Sequence, residues 1–264
     1  MSALRNAAAV LRCFTAATPE LSVTDIVERL GLAKSTTSWL LKLMAEEGFL
    51  EVAAASRRYR PGPLLIASGH LFRTTSSLVG AVHEFIAVVV AEVGHTGYIS
   101  ILDGTDVFAI RMHPGSHHLR VVTPIGLRLP AFATAVGRSL LARNSDEDVR
   151  ELFQRPLPRI SDQAPGTLDE LLPRLATVRQ AGFAEADDEG NRGVGSVAVS
   201  IADPAAREAV SACISFPLSN VSADERQAIR GRLVSGASEL GRRFDDSFWT
   251  SRPMPSARVR HTAA

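Results

Sequence analysis

The sequence predicts an α+β protein in two parts, a small helical front end and a larger body in which helices pack on an antiparallel sheet. Three observations predict it. Residues 21–59 read as two short amphipathic helices joined by a tight turn and followed by a hairpin. Pro61-Gly62-Pro63 then punctuates the chain. Beyond it, about five extended runs alternate with helical stretches over nearly 170 residues.

In the front end, residues 4–14 predict a first helix whose Leu4, Ala8, Leu11, Cys13 and Phe14 can pack on the pair that follows; Thr18-Pro19 breaks it. Ser22 with Asp25 three residues on caps the next helix, Ile26, Val27 and Leu30 supply its apolar face, and Gly31 stops it in a left-handed conformation. A second helix opens at Lys34-Ser35-Thr36 and runs to Glu47. Its Leu40, Leu43 and Met44 face a core, and Ser35, Thr36, Ser38, Trp39 and Lys42 stand on the other side. Two helices with a short turn, the second carrying hydroxyls and a lysine at its N-terminus, form the helix-turn-helix pattern. Residues 49–53 and 57–60 add a hairpin, a basic wing suited to phosphates or a minor groove. The expected contacts to duplex DNA are Ser35, Thr36, Thr37, Ser38 and Trp39 on bases or sugar-phosphate. Lys34, Lys42, Arg57, Arg58 and Arg60 are expected on phosphates or in the minor groove.

Charge agrees with this division. The chain of 264 residues has a net charge of +1, but residues 1–75 hold nine Lys/Arg against six Asp/Glu, leaving a mildly acidic remainder. A hydrophobic share of 45% provides for a packed core. Cys13 and Cys213 fit no metal spacing and suggest reduced thiols and a cytoplasmic setting. Arg12 interrupts the early apolar stretch, which argues against a signal peptide, and the run at 85–91 is too short to span a bilayer.

The expected domains are 1–62, a winged helix-turn-helix; 63–75, a linker helix with apolar residues on two sides; 76–248, the body; and 249–264, a disordered basic tail. Within the body, Leu78, Val82, Phe85, Ile86, Val89 and Val93 predict an amphipathic helix ended by Gly94. Strands are expected at 97–102 and 107–112 around an Asp103-Gly104 turn, at 119–123, at 196–201 and at 208–216. A helix should begin near Thr134 and aim free N–H groups at whatever the sheet presents. Ser145 with Asp148, Thr167 with Glu170, and Ser222 with Glu225 cap three more helices; on the last, Ile229, Leu233, Ala237, Leu240 and Phe244 form one face.

From residue 4 to about 244 the chain resembles the isocitrate-lyase-regulator (IclR) family of bacterial transcription factors. Three stretches carry the resemblance: Gly31-Leu-Ala-Lys-Ser-Thr36, Gly126-Leu-Arg-Leu-Pro-Ala-Phe-Ala-Thr-Ala-Val-Gly-Arg-Ser-Leu-Leu-Ala142, and Val178-Arg-Gln-Ala-Gly-Phe-Ala184 with the acidic and glycine-rich segment after it. The resemblance implies a GAF-like effector-binding domain in the body. It also implies homodimers, often paired into tetramers, a pseudo-palindromic operator, and a small organic or aromatic acid as effector. Positions similar to the family's effector contacts are Val121, Ala135, Val136, Asp187, Ser196, Cys213 and Ser215. Three departures stand out. Trp39 occupies a position where the family often has arginine, Arg138 replaces the usual lysine, and 187–195 is about one residue shorter than in some relatives.

The rival reading is an enzyme, converting a small molecule or holding a metal, with an accessory nucleic-acid domain. Gly193-Val-Gly-Ser-Val-Ala198 matches a loose dinucleotide string but leads into a strand rather than a helix. His113-Pro-Gly-Ser-His117-His118 could offer imidazoles to zinc, yet its Pro-Gly reads as a surface loop between strands. No catalytic residue, cofactor or metal site is therefore expected. The other rival, an architectural DNA-binding protein without ligand, is disfavoured by the size of the body.

Overall fold

The computed structural model describes residues 3–15 and 17–252, the side chain of Arg73 excepted. The chain divides into two compact units after Ser76.

The front unit contains α1 (Ala3–Arg12), α2 (Val23–Leu30), α3 (Lys34–Glu46), β1 (Leu50–Val52), β2 (Tyr59–Pro61) and α4 (Pro63–Thr75). Ser22 and Asp25 close a reciprocal capping box at the start of α2, and Gly31 ends it at φ +65°. Val10, Ile26, Leu40, Leu41, Met44 and Leu50 form the core of this unit. Leu41 takes the place expected of Leu43, which is only half-buried. β1 and β2 pair antiparallel, and a bridge between Leu21 and Tyr59 ties the wing to the chain ahead of α2. Pro63 sits in the first turn of α4, where its missing N–H costs nothing. A helix thus covers the range 63–75 and counts with the front unit.

The body contains α5 (Ser77–Val93), β3 (Thr96–Asp103), β4 (Asp106–His113), β5 (Arg128–Pro130), α6 (Ala135–Leu141), α7 (Asp146–Leu152), α8 (Leu168–Ala181), β6 (Ala184–Asp187), β7 (Val194–Asp203), β8 (Glu208–Pro217), α9 (Ala223–Arg243) and α10 (Ser247–Thr250). Six antiparallel strands run in the order β5-β4-β3-β8-β7-β6. Strand alternation sorts side chains to two cores. Ile99, Val197, Val199, Ile201, Ala212, Ile214 and Phe216 pack with Val82, Ile86 and Val89 of α5 and Ile229, Leu233 and Ala237 of α9. On the opposite face Tyr98, Val107, Ala109, Ala198 and Cys213 meet α6, α7 and α8.

Three expectations change. The strand at 119–123 is absent: 114–127 is loop, and the Tyr98 hydroxyl, not a ladder, binds the backbone of Val121 and Thr123. The free edge of β4 is occupied instead by β5, through the register Asp106↔Pro130 to Phe108↔Arg128. The four-residue β6 was not expected; it pairs with β7. Finally, the start of the expected tail is core. Trp249 is buried and donates its indole N–H to the Ser200 carbonyl at 2.8 Å. Beneath it Asp246 accepts from Arg143 and from the Ala202 amide. Residues 253–264 lie outside the described residues.

Candidate nucleic-acid interface and effector cavity

On α3, Lys34, Ser35, Thr36, Ser38, Trp39 and Lys42 all stand exposed, Trp39 with 59% of its surface in solvent. Thr37 does not join them. It is fully buried and its hydroxyl donates to the Ala33 carbonyl at 3.1 Å, because one helical turn from Leu40 and Leu41 places it on the core stripe. Ala33 caps α3 without a side-chain bond, so the first-turn amides beside Lys34, Ser35 and Thr36 are open to an anion. Lys42 lies 3.8 Å from Glu46, a fully solvated pair that restrains it little.

The wing arginines differ from one another. Arg58 pairs with Asp25 at 3.0 Å, and Arg60 with Glu51 at 2.6 Å and Glu20 at 3.8 Å. The same Asp25 carboxyl is held below its usual range chiefly by the Ser22 amide and hydroxyl. Arg57 stands at a left-handed φ of 56° and makes no ion pair among the described residues. Sequence reading treated the three alike because the acids that engage two of them lie up to 40 residues away.

In the body, a cavity with about 680 Å³ of empty space, counting its mouth, opens on the sheet face that carries α6. Its floor comes from one parity of three strands: Tyr98 and Ser100 of β3, Cys213 and Ser215 of β8, Ser196 of β7. Its walls are Val121 and Thr123 from the 114–127 loop, Thr134 and Val136 at the start of α6, and Glu189 to Asn191 before β7. Thr134 caps α6 by accepting from the Gly137 amide at 2.9 Å, so the expected open helix end is partly closed.

Five of the seven expected effector positions line this cavity: Val121, Val136, Ser196, Cys213 and Ser215. Ala135 does not; it is wholly buried in the core behind the cavity. Asp187 does not either. It is one residue out of phase with Ala186, which does line the cavity, and its carboxylate is bidentate on Arg226 of α9, at 2.7 and 3.2 Å. Tyr98, Ser100, Thr123, Thr134 and Glu189 are additions. Tyr98 and Ser100 could have been found by extending the alternation of Cys213 and Ser215 across the β3–β8 register, in which Tyr98 opposes Cys213.

The electrostatics of the cavity are closed internally. Glu189 is its one charged lining residue, and Arg138 holds it with two bonds, Nη2 to Oε1 at 2.8 Å, with Arg174 at 3.3 Å. Arg138 is itself buried and also donates to the Phe132 and Glu185 carbonyls. Among the described residues no lysine, arginine or histidine lines the space. Burial pushes the Tyr98 hydroxyl above its usual range, and the Cys213 thiol up to about 12, which leaves that thiol un-ionised and unreactive. What remains is an apolar slot with hydroxyls of serine and threonine placed along it.

Against known proteins, the family profile described as bacterial transcriptional regulator IclR C-terminal matches residues 74–242, and the IclR helix-turn-helix domain matches residues 3–53. The chain belongs to the IclR family. It is a transcriptional regulator with a DNA-binding helix-turn-helix and a C-terminal effector domain, not an enzyme. It is 27% identical to the HTH-type transcriptional regulator XynR of Escherichia coli over 245 residues, 92% of this chain and 96% of that one. Its fold is like that of an IclR regulator from Silicibacter sp. TM1040, with a TM-score of 0.83, 21% identity, and 97% and 98% of the two chains covered. It is also like an IclR homologue from Microbacterium hydrocarbonoxydans, solved in complex with 4-hydroxybenzoate, with a TM-score of 0.70, 22% identity, and 90% and 99% covered. Among the described residues no single helix is long and apolar enough to cross a membrane.

Proposed function

We propose that this regulator binds a pseudo-palindromic operator as a homodimer, which can pair into a dimer of dimers, and that a small aromatic or organic acid in the body's cavity tunes that binding. In this reading Ser35, Thr36, Ser38 and Trp39 meet bases or sugar-phosphate from the major groove. Lys34, Lys42 and Arg57 meet phosphates, and Arg58 and Arg60 do so only by exchanging their carboxylate partners. Thr37 is withdrawn from the contact set on its burial. The protein works in the cytoplasm beside its DNA, in agreement with two free, buried cysteines.

The observation that carries the effector reading is the cavity's composition. Its one carboxylate is already neutralised, no cation lines it among the described residues, and Ser100, Thr123, Ser196 and Ser215 line an apolar slot. Such a site favours a flat, largely apolar molecule with one polar end over a polyanion, which would enter without a counter-charge. The 4-hydroxybenzoate bound by the Microbacterium relative is flat and largely apolar, with a single carboxylate at one end and a phenol at the other. The effector must bind one DNA-binding arrangement better than another in order to act.

The test is a fluorescence-anisotropy titration onto DNA from upstream of the protein's own gene, at two salt concentrations, with a panel of aromatic and aliphatic acids. Sequence-preferring, salt-dependent binding that one monocyclic acid alters is the expected result. Response to a dicarboxylate and to no aromatic acid would refute the flat, largely apolar class. Replacing Ser215 with leucine should abolish the response and leave operator affinity within about twofold.

A further inference from the structure

Outside the set of residues that line the effector cavity, three side chains of the body converge. His95 opens the segment into β3, His117 lies in the 114–127 loop, and Glu225 is in the first turn of α9. Their nearest ligand atoms all fall within 4.8 Å of one another. His95 Nε2 is 3.1 Å from Glu225 Oε1, and the two imidazole centroids are 4.5 Å apart. We propose that His95, His117 and Glu225 form a binding site for a divalent transition metal of the zinc class.

Four features of the structure support this assignment. The donor set is two imidazoles and one carboxylate, a composition that suits zinc and leaves a fourth position for water. Around a tetrahedral zinc with bonds of about 2.0–2.1 Å, neighbouring donors stand about 3.4 Å apart. His95 and Glu225 are already near that spacing; the widest separation must contract by at most about 1.4 Å, shared between a loop histidine and a carboxylate on a flexible stem.

Second, the His117 ring is oriented by the backbone. Nε2 lies 3.2 Å from the Val93 carbonyl, which can only accept, and a proton on Nε2 leaves the Nδ1 lone pair for a metal. A backbone carbonyl that orients one ring nitrogen is the usual outer support of a metal-binding histidine.

Third, Glu225 departs from the local role its spacing predicts. Ser22 with Asp25 and Ser145 with Asp148 close reciprocal capping boxes. Ser222 accepts from the Glu225 amide, but the Glu225 carboxylate does not return to Ser222; it reaches His95, 130 residues earlier in the chain.

Fourth, the loop is built to touch β3. A Cβ on Gly115 would lie 2.1 Å from the Gly94 carbonyl oxygen and 2.6 Å from the His95 carbonyl carbon, so only glycine permits the approach that sets His117 beside His95. The His117 amide then donates to the Gly94 carbonyl at 3.1 Å. His95 is buried, so its ring is held in place by its surroundings. A bound ion would tie the start of β3, the 114–127 loop and the N-terminus of α9 together. That loop goes on to Val121 and Thr123 of the cavity wall, so the ion would also steady the wall.

The experiment uses the full chain, stripped of metal, with zinc as the probe and a chromophoric chelator as competitor. Cobalt substitution reports geometry by visible absorption. One zinc per chain is expected, with visible cobalt bands of a four-coordinate site and a rise in Tm on adding one equivalent. His117→Ala and Glu225→Gln should each weaken binding more than tenfold, while His83→Ala, which breaks the separate His83–His113 pair, leaves it unchanged. Glu225→Gln keeps the shape and tests the site even if His117→Ala folds poorly. No zinc binding tighter than the millimolar range, binding that survives both variants, or binding lost with His83→Ala instead, would overturn the assignment and leave the trio a hydrogen-bonded clamp.

Discussion

On α3 the groups proposed to meet DNA stand on one stripe of one helix, in solvent, with few partners. In the effector cavity the polar groups come from β3, β7, β8, α6 and two loops, and the charged one, Glu189, is buried against Arg138. The difference has consequences for mutation. On α3 a side chain can be removed with little effect on the fold, so recognition and stability are separable. In the cavity the Glu189 carboxylate that lines the site also satisfies the buried Arg138, so a change there comes with a change of stability.

The largest expected break of this contrast is Arg138→Ala. It leaves the buried Glu189 carboxylate with only the part-exposed Arg174 and should destabilise the body by about 3 kcal/mol, measured by denaturant unfolding. A loss below about 1 kcal/mol would mean that the Arg138–Glu189 pair is solvated and the cavity is not closed internally.

Next, Thr37→Ala and Trp39→Ala set the contrast within a single helix. Thr37→Ala should cost about 1–2 kcal/mol of stability, since a buried methyl and hydroxyl are lost. Trp39→Ala should shift stability by less than about 0.5 kcal/mol and yet weaken operator binding severalfold. The reverse pattern, with Trp39 supporting the fold, would remove it from the contact face.

A smaller effect separates the wing arginines. Arg57→Ala should lower the slope of log affinity against log salt by about 1, and Arg60→Ala by less, because Glu51 already engages Arg60. Equal slopes would show that the ion pairs of Arg60 dissolve on DNA.

The most gradual effect is that of pH. His95 and His113 both have lowered pKa values, with burial as the largest cause. The folded body therefore binds fewer protons than the unfolded chain below the ordinary value of 6.5. Stability from these groups is fully present above that pH and is lost as pH falls through it. The denaturation midpoint of the metal-free protein should accordingly be lower at about pH 5.5 than at about pH 7.5. A midpoint that rises on acidification would contradict the neutral state of both rings.

The legible parts of this protein were those in which one element is its own context. Ser22, Asp25 and Gly31 mark α2 because capping is settled within four residues of chain. The α3 face follows from a 3.6-residue period, with Thr37 the exception, since hydroxyl chemistry suggested solvent while the period already placed it beside Leu40 and Leu41. The cavity was half legible. Ser196, Cys213 and Ser215 lie on correctly placed strands, but Asp187 missed by one residue, and in a strand one residue is the opposite face.

By itself the sequence determined the local elements: which segments coil, where they stop, and which stretches form a helix-turn-helix ahead of an α+β body. These depend on propensity, capping and periodicity, which act over a few residues. Tertiary structure alone decided that 119–123 would be held by the Tyr98 hydroxyl and not by a ladder, that Trp249 would be core, and that Glu189 would be neutralised from 51 residues away. It also decided that Glu225 would leave its own helix cap for His95. Each is a contact between residues distant in sequence, and its free energy comes from shared burial, which no short window of sequence contains.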